Sequence, residues 1–202
     1  IAAGIYQVFD RLGLDYRFAD PKGDPARLAG EVLVVSGGGN LTDLYHDCRN
    51  FIAPRHAVVE RLIILPSTIT GHGDLIEAFG SNVDVICRER VSHAFVTTHA
   101  RDCRVHLMDD MAFSLDVEEV MSGTPRYRVP NWKEAGRYLR RYWRLATLPK
   151  PADKRVFNCF RTDREKTRVA VPADNIDLSA VLVAGVKPEF CAHAGTRDIF
   201  AT

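Results

Sequence analysis

The sequence has no long hydrophobic run, and none of its apolar segments approaches the roughly 18 residues that a membrane-spanning helix needs. No signal-peptide pattern opens it either. Its charges nearly cancel, with a formal net charge of +1 at pH 7, which argues against a general nucleic-acid binder. These absences favour a globular protein of the cytoplasm. The 202 residues are enough for one large α/β domain or for one domain with part of another.

Metal and nucleotide motifs are also missing. The five cysteines are scattered and form no C-x-x-C pair, a pattern typical of reduced thiols that offers no structural zinc site. The sequence contains neither the spaced G-x-G-x-x-G fingerprint nor a P-loop with its lysine, so the motifs do not support dinucleotide or nucleoside-triphosphate binding. We therefore expect no metal and no bound cofactor.

The most informative stretch runs from Glu31 to Tyr45 and contains three consecutive glycines. Its first part, Val32 to Val35, is rich in β-branched residues and predicts a strand buried on both faces, as in a parallel sheet. The glycines that follow let the backbone turn sharply and approach a ligand without interference from a Cβ atom. They are Gly37, Gly38 and Gly39.

After the glycines we expect a helix that begins near Leu41 and is capped by Asn40 or Thr42. The free N–H groups of its first turn would point at whatever occupies the glycine turn. Strand, glycine turn and helix N-terminus together predict an anion-binding arrangement. The alternative is a tight strand–helix turn that holds no ligand.

Predicted strands and helices alternate along the first half of the chain. The predicted strands are Leu14–Ala19, Val32–Val35, Arg61–Ser67, Val83–Cys87 and Arg104–Met108. The predicted helices are Ile1–Leu12, most of Leu41–Val59, Leu75–Phe79 and Ser92–His99. This alternation predicts an α/β fold with a Rossmann-like, doubly wound parallel sheet, in which ligands bind beyond the carboxyl ends of the strands.

The composition changes after Ser114. Asn131–Leu148 predicts a long amphipathic helix, and from Asn131 to Arg168 there are 12 Lys/Arg against 4 Asp/Glu, a local excess of +8 (12 − 4). We interpret Lys150-Pro151 as a domain boundary. We therefore predict a first domain over residues 1–150 and the beginning of a second over 151–202, whose first strand runs from Arg155 to Phe160.

Five pieces of the sequence share an order and a spacing with one known family: Gly37-Gly-Gly-Asn-Leu-Thr-Asp-Leu-Tyr45, the strand ending in Leu65-Pro66, Arg88-Glu-Arg-Val-Ser92, Asp110-Met-Ala-Phe113 and Phe160-Arg-Thr-Asp-Arg-Glu165. Together they resemble the polysaccharide pyruvyl transferases. The resemblance implies a two-domain architecture similar to GT-B glycosyltransferases, with the active site between two Rossmann-like halves. It also implies transfer of the enolpyruvyl unit of phosphoenolpyruvate onto two hydroxyls of a sugar, which forms a pyruvate ketal on an exopolysaccharide or cell-surface polysaccharide.

The sequence departs from the family in three respects. Ser67 stands where the family often has Gln, and family members continue well past the position of Thr202. The Arg and His that the family carries in its second domain, among them its catalytic acid, have no counterpart here. The resemblance therefore implies a first half with the beginning of a second, and we expect these residues alone to be inactive.

A phosphoenolpyruvate site needs fixed cations for a phosphate and a carboxylate. Arginine suits both anions because its planar guanidinium can form two parallel hydrogen bonds. Arg88 follows a predicted strand directly, and Arg161 follows the first strand of the second half. We predict that both contact the donor. The alternative is ion pairing with Glu89, Asp163 or Glu165, which would make these segments structural. The further predicted substrate contacts are Gly37, Gly38, Gly39, Asn40 and Ser92, and Ser92 is also the predicted cap of its helix.

Ketal formation requires a general acid for the enol carbon and a base for a sugar proton. We predict these roles for Asp43 and His72, with Asp74, His93 and Asp110 as further candidates. In the first turn of a helix, Asp43 would also be favoured by the helix dipole alone. His72 and Asp74 are too few to hold a metal ion.

The basic helix admits three interpretations: packing on the first domain with a solvated cationic face, attraction of an anionic donor, or docking on the anionic inner membrane leaflet, where lipid-linked oligosaccharides are assembled. Two other functions compete with pyruvyl transfer. One is a nucleotide-sugar glycosyltransferase of the same fold. The other is a non-catalytic binding module that has kept the fold and lost the second half.

Overall fold

The computed structural model describes residues 1–122, 143, 158–162, 168–172 and 175. The chain divides into two compact units, Ile1–Asp116 and Val117–Thr202. Most of the second unit lies outside the described residues, so the domain boundary expected at residues 150 and 151 stays a prediction. The long basic helix expected over Asn131–Leu148 also lies outside them, apart from Trp143.

The first unit is built on a five-stranded sheet in which every pairing is parallel. Four strands follow the order β1-β3-β4-β5, and β2 pairs with the far end of β3. This confirms the expected α/β class with a Rossmann-like parallel sheet. The strands are β1 (Val32–Val35), β2 (Gly38–Leu41), β3 (Arg61–Ile69), β4 (Val83–Cys87) and β5 (Arg104–Leu107).

Among the described residues of the first unit, one helix precedes the sheet and three short helices connect its strands. They are α1 (Ala2–Arg11), α2 (Asp47–Ile52), α3 (Gly73–Glu77) and α4 (Arg90–His99), with 3-10 turns at Pro25–Leu28 and Met111–Ser114. The described part of the second unit begins with α5 (Val117–Ser122). In the residues that the structure describes, no helix combines the length and the apolar character needed to cross a membrane.

Several sequence predictions are confirmed and others are wrong. The predicted bounds of β1 and β4 agree with the structure, and those of α1, α4 and β5 differ by one or two residues. The strand expected at Leu14–Ala19 is wrong, because this segment has no regular structure. The helix expected over most of Leu41–Val59 is also wrong, because only α2 is helical there.

The segment after the glycines forms a strand where a helix was expected. Gly38 pairs with Ser67, and Leu41 pairs with Ile69. β3 therefore continues beyond Pro66, where the loop was expected to begin. Proline cannot donate a hydrogen bond to a neighbouring strand, and the pairing of β3 with β4 shifts register at this point. The shift accommodates Pro66, and β3 then continues as the partner of β2.

Gly37 makes this strand pairing possible. A Cβ atom at Gly37 would overlap the carbonyl oxygen of Pro66 and lie 3.2 Å from its carbonyl carbon. Gly38 has a φ of 136°, which side chains rarely allow. Gly37 therefore serves the close approach of two backbones, and Gly38 serves a positive φ. The expected arrangement of a glycine turn leading into a helix N-terminus is wrong.

The core lies on one face of the sheet. Leu62, Ile64, Val83 and Val85 have no exposed surface, and they alternate with residues of the other face as strand geometry requires. The helices contribute Ile52, Ile76 and Val96 to the same cluster, and Phe79, which follows α3, joins them. Burying one such side chain contributes about 1.5–3 kcal/mol. The central strands therefore hold the unit together.

A buried carboxylate stands on the opposite face of β4. Asp84 is only 5% exposed, and it accepts hydrogen bonds from Arg104 Nε (2.7 Å), Arg104 Nη2 (2.8 Å) and Arg61 Nε (2.8 Å). His106 Nε2 lies 3.1 Å from the same carboxylate. Hydrogen bonds from Arg104 and then Arg61 hold the pKa of Asp84 well below its ordinary value of 3.8, although burial opposes them. This network joins β3, β4 and β5.

Replacing Asp84 should destabilise the protein in a pH-dependent way. We expect Asp84→Asn to lower the free energy of unfolding at pH 7 by about 2 kcal/mol, the lower part of the range for charged hydrogen bonds, because the arginines are half exposed. A carboxyl whose pKa is depressed on folding stabilises above its unfolded pKa. The difference between wild type and variant should therefore persist above pH 3.8 and shrink as the pH falls below it.

Urea unfolding at several pH values measures this difference. Glu77→Gln is the matched control, because Glu77 pairs with Arg101 on an exposed surface (2.7 Å). That substitution should change stability by less than about 0.5 kcal/mol. An Asp84→Asn protein as stable as wild type at pH 7 would show that the network contributes nothing.

Two nearby glycines allow a second test of stability, with one variant as the control of the other. We expect Gly37→Ala to cost about 2 kcal/mol of stability, because its methyl group would meet the backbone of Pro66, which belongs to the sheet and cannot move aside. Gly39→Ala is the control. A Cβ atom there would have nothing within 4 Å, so its stability should stay within about 0.5 kcal/mol of wild type. Equal urea midpoints for the two variants would contradict the strand pairing.

Candidate functional site

The carboxyl ends of the strands form a continuous row. Gly38 pairs with Ser67, Ser67 with Cys87, and Cys87 with Leu107. Neighbouring strands are about 4.8 Å apart, so the residues directly after this row lie along one edge of the sheet. We call the residues at and just beyond the row the carboxyl edge. Most of the sequence-predicted site residues of the first unit belong to it.

The glycine segment enters this edge as part of β2. Gly37, Gly38 and Gly39 are half-buried, and Asn40 is exposed. No helix follows them directly, since α2 begins only at Asp47. The segment therefore brings no helix dipole to the edge. Its predicted contacts with substrate stay predictions, and they would have to come from the backbone of β2 and the side chain of Asn40.

Arg88 is held firmly at the carboxyl edge. Its backbone N–H donates to the carbonyl of Ser67 (3.1 Å), and its Nε donates to Thr68 Oγ1 (2.8 Å). Its Nη1 donates to Asp110 Oδ2 (2.6 Å). The side chain stays 30% exposed, so a fixed cation with accessible surface stands where the sequence predicted a donor contact. Arg88 does form an ion pair, but its partner is Asp110 and not Glu89, the neighbour that the sequence offered as the alternative.

Ser92 does not cap its helix. The N-cap of α4 is Glu89, whose side chain accepts a hydrogen bond from the Ser92 backbone N–H (2.8 Å). Ser92 itself is completely buried; its Oγ donates to Glu89 Oε1 and accepts from Ile69 N–H (2.7 Å). Burial raises the pKa of Glu89, but the hydrogen bonds from Ser92, with one from the Val91 backbone and the nearby charge of Arg88, lower the net pKa. These contacts tie the end of β3 to the start of α4. The predicted contact of Ser92 with substrate stays a prediction.

Asp43 and His72, the predicted catalytic pair, belong to one loop cluster. Gly71 is buried against Asp43, since a Cβ atom at Gly71 would overlap Asp43 Oδ1 and lie 2.7 Å from the Asp43 backbone nitrogen. This close approach places His72, the next residue, beside the same segment. Asp43 is exposed and His72 is half-buried. The structure therefore brings together two residues that are 29 positions (72 − 43) apart in the chain.

His72 has an unusual backbone and a defined ring. Its φ of 60° and ψ of 42° are left-handed, and among the described residues it is the one non-glycine with a positive φ. Such positions are costly and cluster at functional sites. Its Nε2 lies 3.0 Å from the carbonyl oxygen of Tyr45. A carbonyl can only accept, so Nε2 carries the proton and the neutral ring has its lone pair on Nδ1.

The other candidate acids and bases are less well placed. Asp74 forms an ion pair with Arg49, and the hydrogen bond from Arg49 is the main cause of its lowered pKa. Asp110 is paired with Arg88. In the part of the chain that the structure describes, no three His, Cys, Asp or Glu side chains form a group that could hold a metal ion.

In the second unit, the segment before Arg161 is fixed by an amide side chain. Phe160 N–H donates to Asn175 Oδ1 (2.6 Å), and Asn175 Nδ2 donates to the Phe160 carbonyl (2.9 Å). Arg161 follows directly and is half-buried. The strand expected at Arg155–Phe160 is not regular over residues 158–160, and its other residues lie outside the described ones. Asn175 was missed because nothing in the sequence pairs it with a residue 15 positions away.

Comparison with known proteins finds a solved structure of similar fold. No protein-family model matches the chain, and no curated protein matches it. The fold is similar to the crystal structure of an uncharacterized protein from Klebsiella pneumoniae, with a TM-score of 0.67 and 28% sequence identity. The match covers 98% of this chain and 65% of the Klebsiella protein, so the chain spans about two thirds of the length of that relative.

Proposed function

We propose that the protein is a polysaccharide pyruvyl transferase. Its donor is phosphoenolpyruvate, and its acceptor is a saccharide of an exopolysaccharide or cell-surface polysaccharide, free or lipid-linked. The observation that carries the proposal is Arg88, a partly exposed guanidinium fixed by Thr68 and Asp110 at the carboxyl edge. Parallel α/β sheets bind ligands at this edge, and a fixed arginine is suited to a phosphate or a carboxylate.

Arg88 and Arg161 are the two cations that we assign to the donor. The GT-B-like architecture that the resemblance implies is part of the proposal. Two arginines suit a donor that carries two anionic groups, the phosphate and the carboxylate. The resemblance to the pyruvyl transferases in five segments supports the same assignment.

The chemistry requires one proton on the enol carbon and two new bonds to carbon. The methylene carbon of the enolpyruvyl unit accepts a proton and becomes a methyl group. Two sugar oxygens bond to the adjacent carbon, and the bond from that carbon to the phosphate oxygen breaks. The two hydroxyl protons balance the new methyl proton and the released phosphate. His72 Nδ1, with its lone pair, suits the removal of a hydroxyl proton, and Asp43 lies in the same loop cluster.

Removing either arginine should weaken donor binding. A single charge-assisted contact contributes about 1.5–3 kcal/mol, so Arg88→Ala and Arg161→Ala should each raise the KM for phosphoenolpyruvate by about tenfold or more. Arg161→Lys should recover little, because an ammonium cannot form two parallel bonds. Arg90→Ala is the control, since Arg90 is exposed and lies two residues from Arg88. Donor saturation curves of the full-length protein measure the effect.

Three results would contradict the proposal. Saturation curves that are unchanged in both arginine variants would remove the donor assignment. Binding of a sugar nucleotide in place of phosphoenolpyruvate would favour a glycosyltransferase of the same fold. Absence of binding and turnover with either compound in the full-length protein would favour the non-catalytic module.

We also propose that the predicted basic helix Asn131–Leu148 contacts an anionic membrane surface. Its 5 Lys/Arg against 1 Asp/Glu, a local excess of +4 (5 − 1), would attract the anionic inner leaflet, where a lipid-linked acceptor resides. The protein should co-sediment with vesicles that contain phosphatidylserine and be released at high salt. Dissolved ions screen the attraction between the basic residues and the lipid, whose range is already only about 8 Å at an ionic strength of 0.15 M. Neutral phosphatidylcholine vesicles are the control. Equal recovery of the protein with both kinds of vesicle would contradict membrane binding and favour a structural role for the helix.

A further inference from the structure

We infer that Asp110 is a positioning residue for Arg88 and that it sets the affinity of the site for the anionic donor. The inference rests on the proposed function, because it takes Arg88 as a donor contact. From the sequence, Asp110 was a candidate for the acid or the base. The inference gives it a different role, which is to hold Arg88 in place. Three strand ends meet in this contact: Thr68 lies in β3, Arg88 follows β4, and Asp110 follows β5.

Two acceptors fix the plane of the guanidinium. Thr68 Oγ1 accepts from Nε at 2.8 Å, and Asp110 Oδ2 accepts from Nη1 at 2.6 Å. Because the guanidinium is planar and rigid, two contacts at different nitrogens determine where the third nitrogen points. Among the described residues, Nη2 has no hydrogen-bond partner, and the side chain is 30% exposed. Its two N–H groups are therefore presented in a fixed direction.

Asp110 is itself held in place. Its other carboxylate oxygen, Oδ1, accepts from the backbone N–H of Ala112 (2.8 Å) and caps the 3-10 turn Met111–Ser114. The Asp110 side chain is only 16% exposed. Gln7 of α1 anchors the end of this segment through two hydrogen bonds to the backbone of Asp116, at 3.0 and 2.9 Å. The Asp110 carboxylate is therefore held by contacts that do not involve Arg88.

Asp110 has two opposite effects on an anionic ligand, and their signs make the inference testable. Its negative charge repels the donor, so removing it would strengthen binding by electrostatics alone. Its contact with Nη1 orders Arg88, so removing it would weaken binding by leaving the arginine on the Thr68 contact alone. We expect the second effect to prevail, because an unordered arginine would have to be immobilised by the donor itself.

The variant Asp110→Asn separates these effects in the full-length protein. The asparagine keeps an Oδ1 acceptor for the Ala112 N–H, so the 3-10 turn stays capped, but the charged partner of Arg88 is lost. We expect the KM for phosphoenolpyruvate to rise about tenfold, although the site gains a net positive charge. Asp109→Asn is the matched control: it makes the same charge change at the adjacent exposed residue, and its KM should stay within about twofold of wild type.

A double mutant tests whether Asp110 acts through Arg88. If it does, Arg88→Ala with Asp110→Asn should bind the donor no more weakly than Arg88→Ala alone, because the effects of coupled residues are not additive. Additive losses would overturn the inference. So would a lower KM in Asp110→Asn, which would mean that charge repulsion prevails. If Asp110→Asn leaves the KM unchanged and lowers the unfolding temperature, Asp110 only caps the 3-10 turn, and the inference is wrong.

A measurement without any ligand separates this inference from the proposed function. In a proton–nitrogen spectrum of the wild-type protein, the Arg88 Nε–H should give a resolved and slowly exchanging signal, because it donates to Thr68. Asp110→Asn should broaden that signal or speed its exchange, and Asp109→Asn should leave it unchanged. An unaltered signal in Asp110→Asn would overturn the positioning role. Failure of the wild type to bind phosphoenolpyruvate would instead overturn the proposed function and the assigned donor, with the spectrum still deciding whether Asp110 orders Arg88.

Discussion

The structure depends on the unusual length of β3. This strand has nine residues and pairs with β1 over its first part, with β2 over its last part and with β4 along the other side. Its central leucine and isoleucine, Leu62 and Ile64, have no exposed surface. Its last residues also hold the candidate site together: Thr68 accepts a hydrogen bond from Arg88, and Ile69 N–H donates to Ser92 Oγ. The same strand therefore supplies the core of the sheet and the frame of the candidate site.

The fold class could be predicted from the sequence because it depends on local patterns. β-branched runs and their alternation with helical segments predicted the parallel sheet, and the apolar residues of Val83–Cys87 predicted the bounds of β4 despite the Asp84 between them. The sequence could not predict β2, because Gly38-Gly-Asn-Leu41 carries turn residues and no strand pattern. What makes it a strand is the approach of Gly37 to Pro66, a contact between residues 29 positions apart (66 − 37).

The place of the candidate site could be predicted, but the contacts within it could not. Parallel strands end on one edge, so residues after strand ends were expected to converge there, and Arg88 does lie there. The pairing of Arg88 with Asp110 spans 22 positions, and no pattern distinguishes this partner from the adjacent Asp109. Ser92 shows the same limit. Serine and glutamate can both cap a helix, and the choice of Glu89 follows from the burial of Ser92 beneath β3.

The replacement of the expected helix by β2 changes how this edge could hold an anion. A helix N-terminus would supply several backbone N–H groups and a dipole, all fixed by the backbone. Without it, the glycine segment supplies no helix dipole, and a flexible arginine attracts an anion less well unless it is ordered beforehand. Thr68 and Asp110 provide that order, from two different strand ends. Because β2 is not followed directly by a helix, the proposed binding of an anion relies on Arg88, and Thr68 and Asp110, which order Arg88, bear directly on that binding.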